Sequence, residues 1–203
     1  MGPPADEMLK VIPFRGKEWT LPALVAGLRD RDPEAAAAFY DKYESRINGL
    51  VWRLMGRDDE HDDLVQQVLA QVLSSVSKLR DPKLLEPWLV KLTLNTVFKE
   101  FRKRRSRRLV RLTPDYAQVP SSELHPEKQQ LAVRVYAVLE KMGAKERIVF
   151  ALRYIQGYSL GECAHASGCS LATVKRRLAR AKHQFETFAK RDPVLASWTE
   201  GAE

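Results

Sequence analysis

Apolar residues in this chain return every three or four positions and almost never every second one. Leu64, Val65, Val68, Leu69, Val72, Leu73 and Val76 recur at three- and four-residue spacing. No segment carries the alternation of a half-buried strand, so the fold class is all-α. The punctuation agrees. Thr20 can cap a short helix through Leu28, and Asp32-Pro33 places an N-cap before a proline at the first helical position of a long helix that should end near Gly56. Asp58-Asp59-Glu60 puts negative charge at the positive end of the next helix dipole, and Arg80-Asp81-Pro82 stops that helix. A last helix of the first half spans 84–105, with Pro87 tolerable only in its first turn.

Residues 109–127 break this regularity. Pro114, Pro120, Ser121, Ser122 and Pro126 punctuate a stretch without an apolar period, the composition of a flexible linker. Periodicity resumes at Leu131, Val135, Val138 and Met142 and again over 148–155. Two small helical domains, 19–108 and 128–190, are therefore expected on either side of a tether. Residues 1–18 form an aperiodic, proline-bearing tail and 191–203 a short one.

The formal charge of +8 is unevenly placed. Residues 99–111 carry +7 and residues 175–191 carry +6, which leaves −5 for the remainder. Two basic blocks on an otherwise acidic chain suit two polyanion contacts. Cys163 and Cys169 are too few for a disulfide framework. No apolar run is long enough to span a bilayer, and the N-terminus is unlike a signal peptide, so a cytoplasmic protein without membrane insertion is expected.

The second basic block has a specific architecture. Ser159-Leu160-Gly161-Glu162 fits a capping box, Ala164 and Gly168 allow close helix approach and a left-handed turn, and Ser170 caps the following helix. On that helix Leu171, Val174, Leu178, Ala181 and Phe185 share a face, while Thr173, Arg176 and Arg180 point away from it and Lys175 and Arg177 flank them. A helix buried on one side and armed with Arg and Thr on the other, just after a tight turn, can read a DNA major groove. Arg pairs bidentately with guanine, and flanking cations hold phosphates.

In the first half, Asp63, Gln67 and Ser74 form a polar stripe opposite the apolar one. On the 84–105 helix, Val90, Leu94, Val97, Phe98 and Phe101 should be core; the other side carries Trp88, Leu92, Asn95, Lys99, Arg102 and Lys103. Amide, aromatic and basic groups together suit strand-separated DNA. Trp88 reads first as a core anchor, and Asn95 and Lys99 are the better DNA candidates.

The run Ser170-Leu171-Ala172-Thr173-Val174-Lys175-Arg176-Arg177-Leu178-Ala179-Arg180-Ala181 resembles the −35 recognition helix, region 4, of bacterial extracytoplasmic-function sigma factors. Arg153 to Glu162 resembles the segment leading into it. Asp63-Leu64-Val65-Gln66-Gln67-Val68 resembles the region 2 helix that docks on RNA polymerase, and Pro87-Trp88-Leu89 through Asn95 and the Arg-rich end of that helix resemble the −10 region. The family usually has Glu at Gln67, Gly at Ala172, a small residue at Arg176 and an aliphatic one at Cys163.

The resemblance implies a sigma factor that joins core RNA polymerase, through the coiled coil of the largest subunit and the flap, and directs it to promoter DNA. It implies polymerase contacts at Asp63, Gln66 and Gln67. Contacts to the −10 element fall at Trp88, Lys91, Asn95, Lys99, Arg102 and Lys103, and contacts to the −35 element at Ser170, Thr173, Lys175, Arg176, Arg177 and Arg180. It further implies a cognate anti-sigma partner, no catalysis and no cofactor.

Three other readings compete. His61-Asp62 occurs in metal-dependent phosphohydrolases, but two residues are little to build on. Cys163, His165, Cys169 and His183 are zinc-type ligands, yet the same positions serve the helix-turn-helix. A stand-alone regulator with a helical dimerisation or effector domain would explain the second half but not the cation run and amide–aromatic face of the first.

Overall fold

A computed structural model of the chain describes residues 18–56, 60–108 and 126–200, without the side chains of 105–108, 126–129 and 197–200. The described residues contain α-helices and short 3₁₀ and π turns and no strand. The expected tail up to residue 17 and residues 109–125 of the expected linker lie outside them.

Local chemistry sets the helices of the first half. Thr20 accepts from the Ala23 amide at the start of α1 (Leu21–Arg29), and Asp32 accepts from the Glu34 amide at the start of α2 (Pro33–Met55), whose first residue is the proline. Gly56, at φ +72°, ends α2. Helix α3 (His61–Ser75) runs into a 3₁₀ turn at Val76–Lys78. A second such turn, Pro82–Leu84, is capped by Asp81 and leads into α4 (Leu85–Arg108). The loop 79–86 is pinned from below, since Leu79 and Leu85 are buried and the Leu79 carbonyl accepts from Arg29.

The second half comprises α5 (Pro126–Leu139), α6 (Ala144–Phe150), a π-helical turn at Ala151–Ile155, α7 (Leu160–Ser167), α8 (Leu171–Ala189) and α9 (Pro193–Glu200). Helix α9 occupies part of 191–203, where the sequence suggested only a short tail. Asp192 accepts from the Val194 and Leu195 amides and pairs with Arg134 at 2.9 Å, while Leu195 is buried with Val138 and Ala189. One cap, one ion pair and one leucine are too weak a pattern to stand out in sequence.

The main core does not stop at the boundary between the halves. Phe39, Leu54, Val68, Leu85 and Val97 of the first half are continuous with Val149, Leu152, Cys163 and Val174 of the second. Helix α4 packs on both α6 and α7. Tyr136 donates to the Arg53 carbonyl at 3.1 Å, and its ring meets Trp52 edge-on. A Cβ on Gly56 would lie 2.6 Å from that ring, so this glycine answers both a positive φ and a close approach. Burial pushes the Tyr136 phenol up to about 12. No helix among the described residues is long and apolar enough to cross a membrane.

Candidate nucleic-acid interface

The helix-turn-helix forms as its caps dictate. Ser159 Oγ accepts from the Glu162 amide and the Glu162 carboxylate accepts from the Ser159 amide at 2.7 Å, closing the capping box at the start of α7. The backbone bond from Ser159 holds the Glu162 carboxyl below the usual range. Gly168 turns the chain at φ +60°, with its amide bonded back to α7, and Ser170 Oγ then accepts from the Thr173 amide to start α8. Val174 and Ala181 seat α8 in the core and leave Lys175, Arg176 and Arg180 exposed.

Three positions on α8 differ from the simple helical projection. Leu171 is 45% exposed, because the first turn of α8 projects beyond the core that holds Val174. Thr173 is half-buried and its hydroxyl bonds the Ser170 hydroxyl at 2.9 Å. Arg177 folds back to donate to Cys169 Sγ at 3.5 Å, stiffening the turn. Burial raises the Cys163 thiol, and among the described residues no three His, Cys, Asp or Glu side chains gather as a metal site.

On α3, Asp63, Gln66 and Gln67 stand exposed. On α4, Lys91, Asn95, Lys99, Arg102 and Lys103 are exposed, while Trp88 is half-buried against the core. The buried side of α4 holds Leu94, Val97 and Phe101 together with Thr93, Thr96 and Glu100. Glu100 is only 6% exposed and moderates the basic block from beneath. It pairs with Arg104 at 3.0 Å and with Lys103 at 3.6 Å, and Arg104 also reaches Glu60 at 3.1 Å. A hydrogen bond shared with the Glu100 carboxyl, reinforced by Arg104, holds Glu60 below the usual carboxylate range. The +7 of residues 99–111 is therefore partly anchored inside the protein.

Asn95, Lys99 and Arg102 line one groove, of about 670 Å³, between α3 and α4. Lys91 and Ser170, assigned from sequence to different DNA elements, line opposite sides of another cleft. The Lys91 side chain comes within 3.8 Å of where a Gly168 Cβ would stand. Arg102 and Arg180 likewise share a cleft of about 860 Å³ at the junction of the halves. Sequence reasoning missed Arg147 and Tyr136, which hold the halves together through backbone carbonyls remote in the chain and so leave no local signal. It also missed that Glu100 is interior.

Known proteins place the two halves in one frame. Residues 39–107 match the family described as Sigma-70 region 2, and residues 132–184 match Sigma-70, region 4. The chain is similar to the ECF RNA polymerase sigma factor SigE of Mycolicibacterium smegmatis, 28% identical over 72% of this chain and 58% of that protein. It is also similar to SigX of Bacillus subtilis, 29% identical over 70% of this chain and 77% of the relative. Among solved structures, RpoE of Bartonella quintana, determined with the anti-sigma factor NepR, superimposes with a TM-score of 0.58. It is 21% identical, over 77% of this chain and 97% of that one. CnrH, determined with the cytosolic domain of CnrY, gives 0.55 at 20% identity, over 83% and 96%. The matched region spans little more than half of SigE and about three quarters of SigX. The first half matches a known module, and it is not that of an effector domain.

Proposed function

Since the chain belongs to the sigma-70 family, in its extracytoplasmic-function group, we propose that it binds core RNA polymerase and directs it to promoters whose −10 and −35 elements are read by different halves. It acts in the cytoplasm and recognises DNA without covalent chemistry of its own. The observation that carries this reading is the joint one. Region 2 and region 4 occur in order on one chain, and each presents an exposed cationic helix face.

Within that frame the roles divide by position. Asp63, Gln66 and Gln67 on α3 meet the polymerase. Lys91, Asn95, Lys99, Arg102 and Lys103 on α4 hold the −10 strand, with Trp88 packing beneath them. Thr173, Lys175, Arg176 and Arg180 on α8 face the −35 duplex, while Ser170 and Arg177 shape the turn that aims it. Two linked contacts, each modest, supply affinity together.

Distance constrains the mechanism. Elements centred at −10 and −35 stand about 25 base pairs apart, roughly 85 Å of duplex at ~3.4 Å per pair. Lys91 and Ser170 line a single cleft in the structure. Both halves therefore cannot hold their elements in this arrangement; they must part, and the packed form is the polymerase-free state. Polymerase binding supplies the differential affinity that opens it. The packed form also suits capture by an anti-sigma partner, which would keep the DNA faces together. The test is a binding titration against purified core polymerase: substitution of Asp63, Gln66 and Gln67 together by Ala should weaken association at least tenfold. Association at unchanged strength would remove α3 from the docking surface.

A further inference from the structure

The groove between α3 and α4 contains an amide that belongs to neither recognition pattern. Gln71 is half-buried and lines the groove opposite Asn95 and Lys99. Its Oε1 lies 3.2 Å from the Thr96 hydroxyl, whose one proton, on a residue only 3% exposed, is shared between this oxygen and the Leu92 carbonyl at 3.0 Å. With its oxygen engaged, the amide has its NH₂ group left to offer. Ser74 and Ser75, which line the same groove, both donate their hydroxyl protons to the Gln71 backbone carbonyl, so their oxygens keep lone pairs to accept with.

We infer that Gln71 is a specificity-determining residue, donating a hydrogen bond from its side-chain amide to the edge of one unstacked base of the −10 strand held in this groove. The inference rests on the promoter reading above. The groove is suited to such a base. Phe98 and Leu92 give it apolar wall, Lys99 and Arg102 supply cations for the adjoining phosphates, and Gln71, Ser74 and Ser75 add a donor and acceptors. Gln71 follows Gln67 by four positions and could simply extend the docking stripe. The bond to Thr96 argues against that, because it ties the amide to α4 and away from the exposed run of α3. Thr96 is a positioning residue, holding the amide through the oxygen that the base does not use.

The experiment is transcription by reconstituted holoenzyme on a promoter library randomised through both elements, with the transcribed −10 sequences counted. Gln71→Ala should flatten preference at one −10 position, losing roughly fivefold discrimination, the worth of one hydrogen bond, while core affinity stays unchanged. Thr96→Val, which keeps the buried volume, should relax the same position, and the double variant should relax it no further. Gln71→Glu keeps the bond to Thr96 but turns the remaining donor into an acceptor, so preference there should move toward a base offering an amino group. Wild-type preference at every position in Gln71→Ala, with only a lowered Tm, overturns the inference and leaves Gln71 as a tie between helices. A loss of core affinity overturns it in favour of docking. Wild-type holoenzyme that selects no −10 sequence would instead overturn the promoter reading, and this inference with it.

Discussion

The Arg147 guanidinium donates to the Met55 carbonyl at 2.9 Å and lies 4.2 Å from the centre of the Phe101 ring. One side chain, 6% exposed, thus joins α6 to the end of α2 and to α4. Met55 is the last residue of α2, so its carbonyl has no partner within the helix and sits at the negative end of the dipole. The aromatic face supplies a second attraction for a cation withdrawn from water.

If this contact holds the polymerase-free state together, removing it should ease opening. Arg147→Ala leaves a buried carbonyl unsatisfied and should cost the packed form about 1–3 kcal/mol. Small-angle scattering should register a larger radius of gyration for the variant. Core polymerase should bind it more tightly than wild type, because less of its binding energy goes into separating the halves. Weaker binding by a folded variant would show that the packed form is itself the docking form.

Gly56 tests the same junction from the backbone. At φ +72°, with a Cβ due 2.6 Å from the Tyr136 ring, Gly56→Ala combines strain with a clash. The conformational part alone should cost about 1–3 kcal/mol. Adding Tyr136→Ala should remove the clash and leave the strain. Thermal denaturation of the single and double variants separates the two contributions.

Tyr136 also gives the junction a pH dependence. Its folded pKa, raised to about 12 by burial, lies above the ordinary phenol value of 10. The contribution is complete below pH 10. As pH climbs from 10 to 12 the unfolded chain releases the proton first and stability falls. Chemical denaturation of wild type and Tyr136→Phe across that range should show the phenylalanine variant losing less; parallel curves would contradict the burial seen here.

The DNA faces make separable predictions. Arg176→Ala should relax −35 preference by roughly 1–3 kcal/mol of discrimination without changing core affinity, since Arg176 is exposed on α8 and available to a base edge. Lys175→Ala should instead weaken binding evenly across sequences and reduce the slope of log K against log salt by about 0.9. Asn95→Ala with Lys99→Ala should slow strand opening, measured with a fluorescent base in the −10 element. Each variant also tests a residue that helical projection and the family resemblance both assign to DNA.

Legibility followed chain distance. Caps at Asp32, Ser159 and Ser170, the stop at Gly56 and the turn at Gly168 act within a few residues, so α2, α7 and α8 could be read directly. Exposed Asp63, Gln67, Asn95 and Lys99 follow from the same periodicity, whereas Gln66 entered only through the family resemblance. The junction could not be read, because Arg147 and Tyr136 meet backbone carbonyls 92 and 83 positions away, and a carbonyl is the same in every residue. Glu100 was hidden by its cationic neighbours, although a lone acid in such a run is the signal of an internal partner. Gln71 is set apart only by Thr96, 25 residues on, whose hydroxyl meets its amide.

Run-off transcription from the library, with chain and core polymerase supplied separately and together, tests whether this chain recognises promoters as a subunit of RNA polymerase. Discrete transcripts are expected only from the combination, all sharing a −10 and a −35 motif. No selected transcript from the combined proteins, or tight sequence-specific duplex binding by the chain alone, would contradict this role.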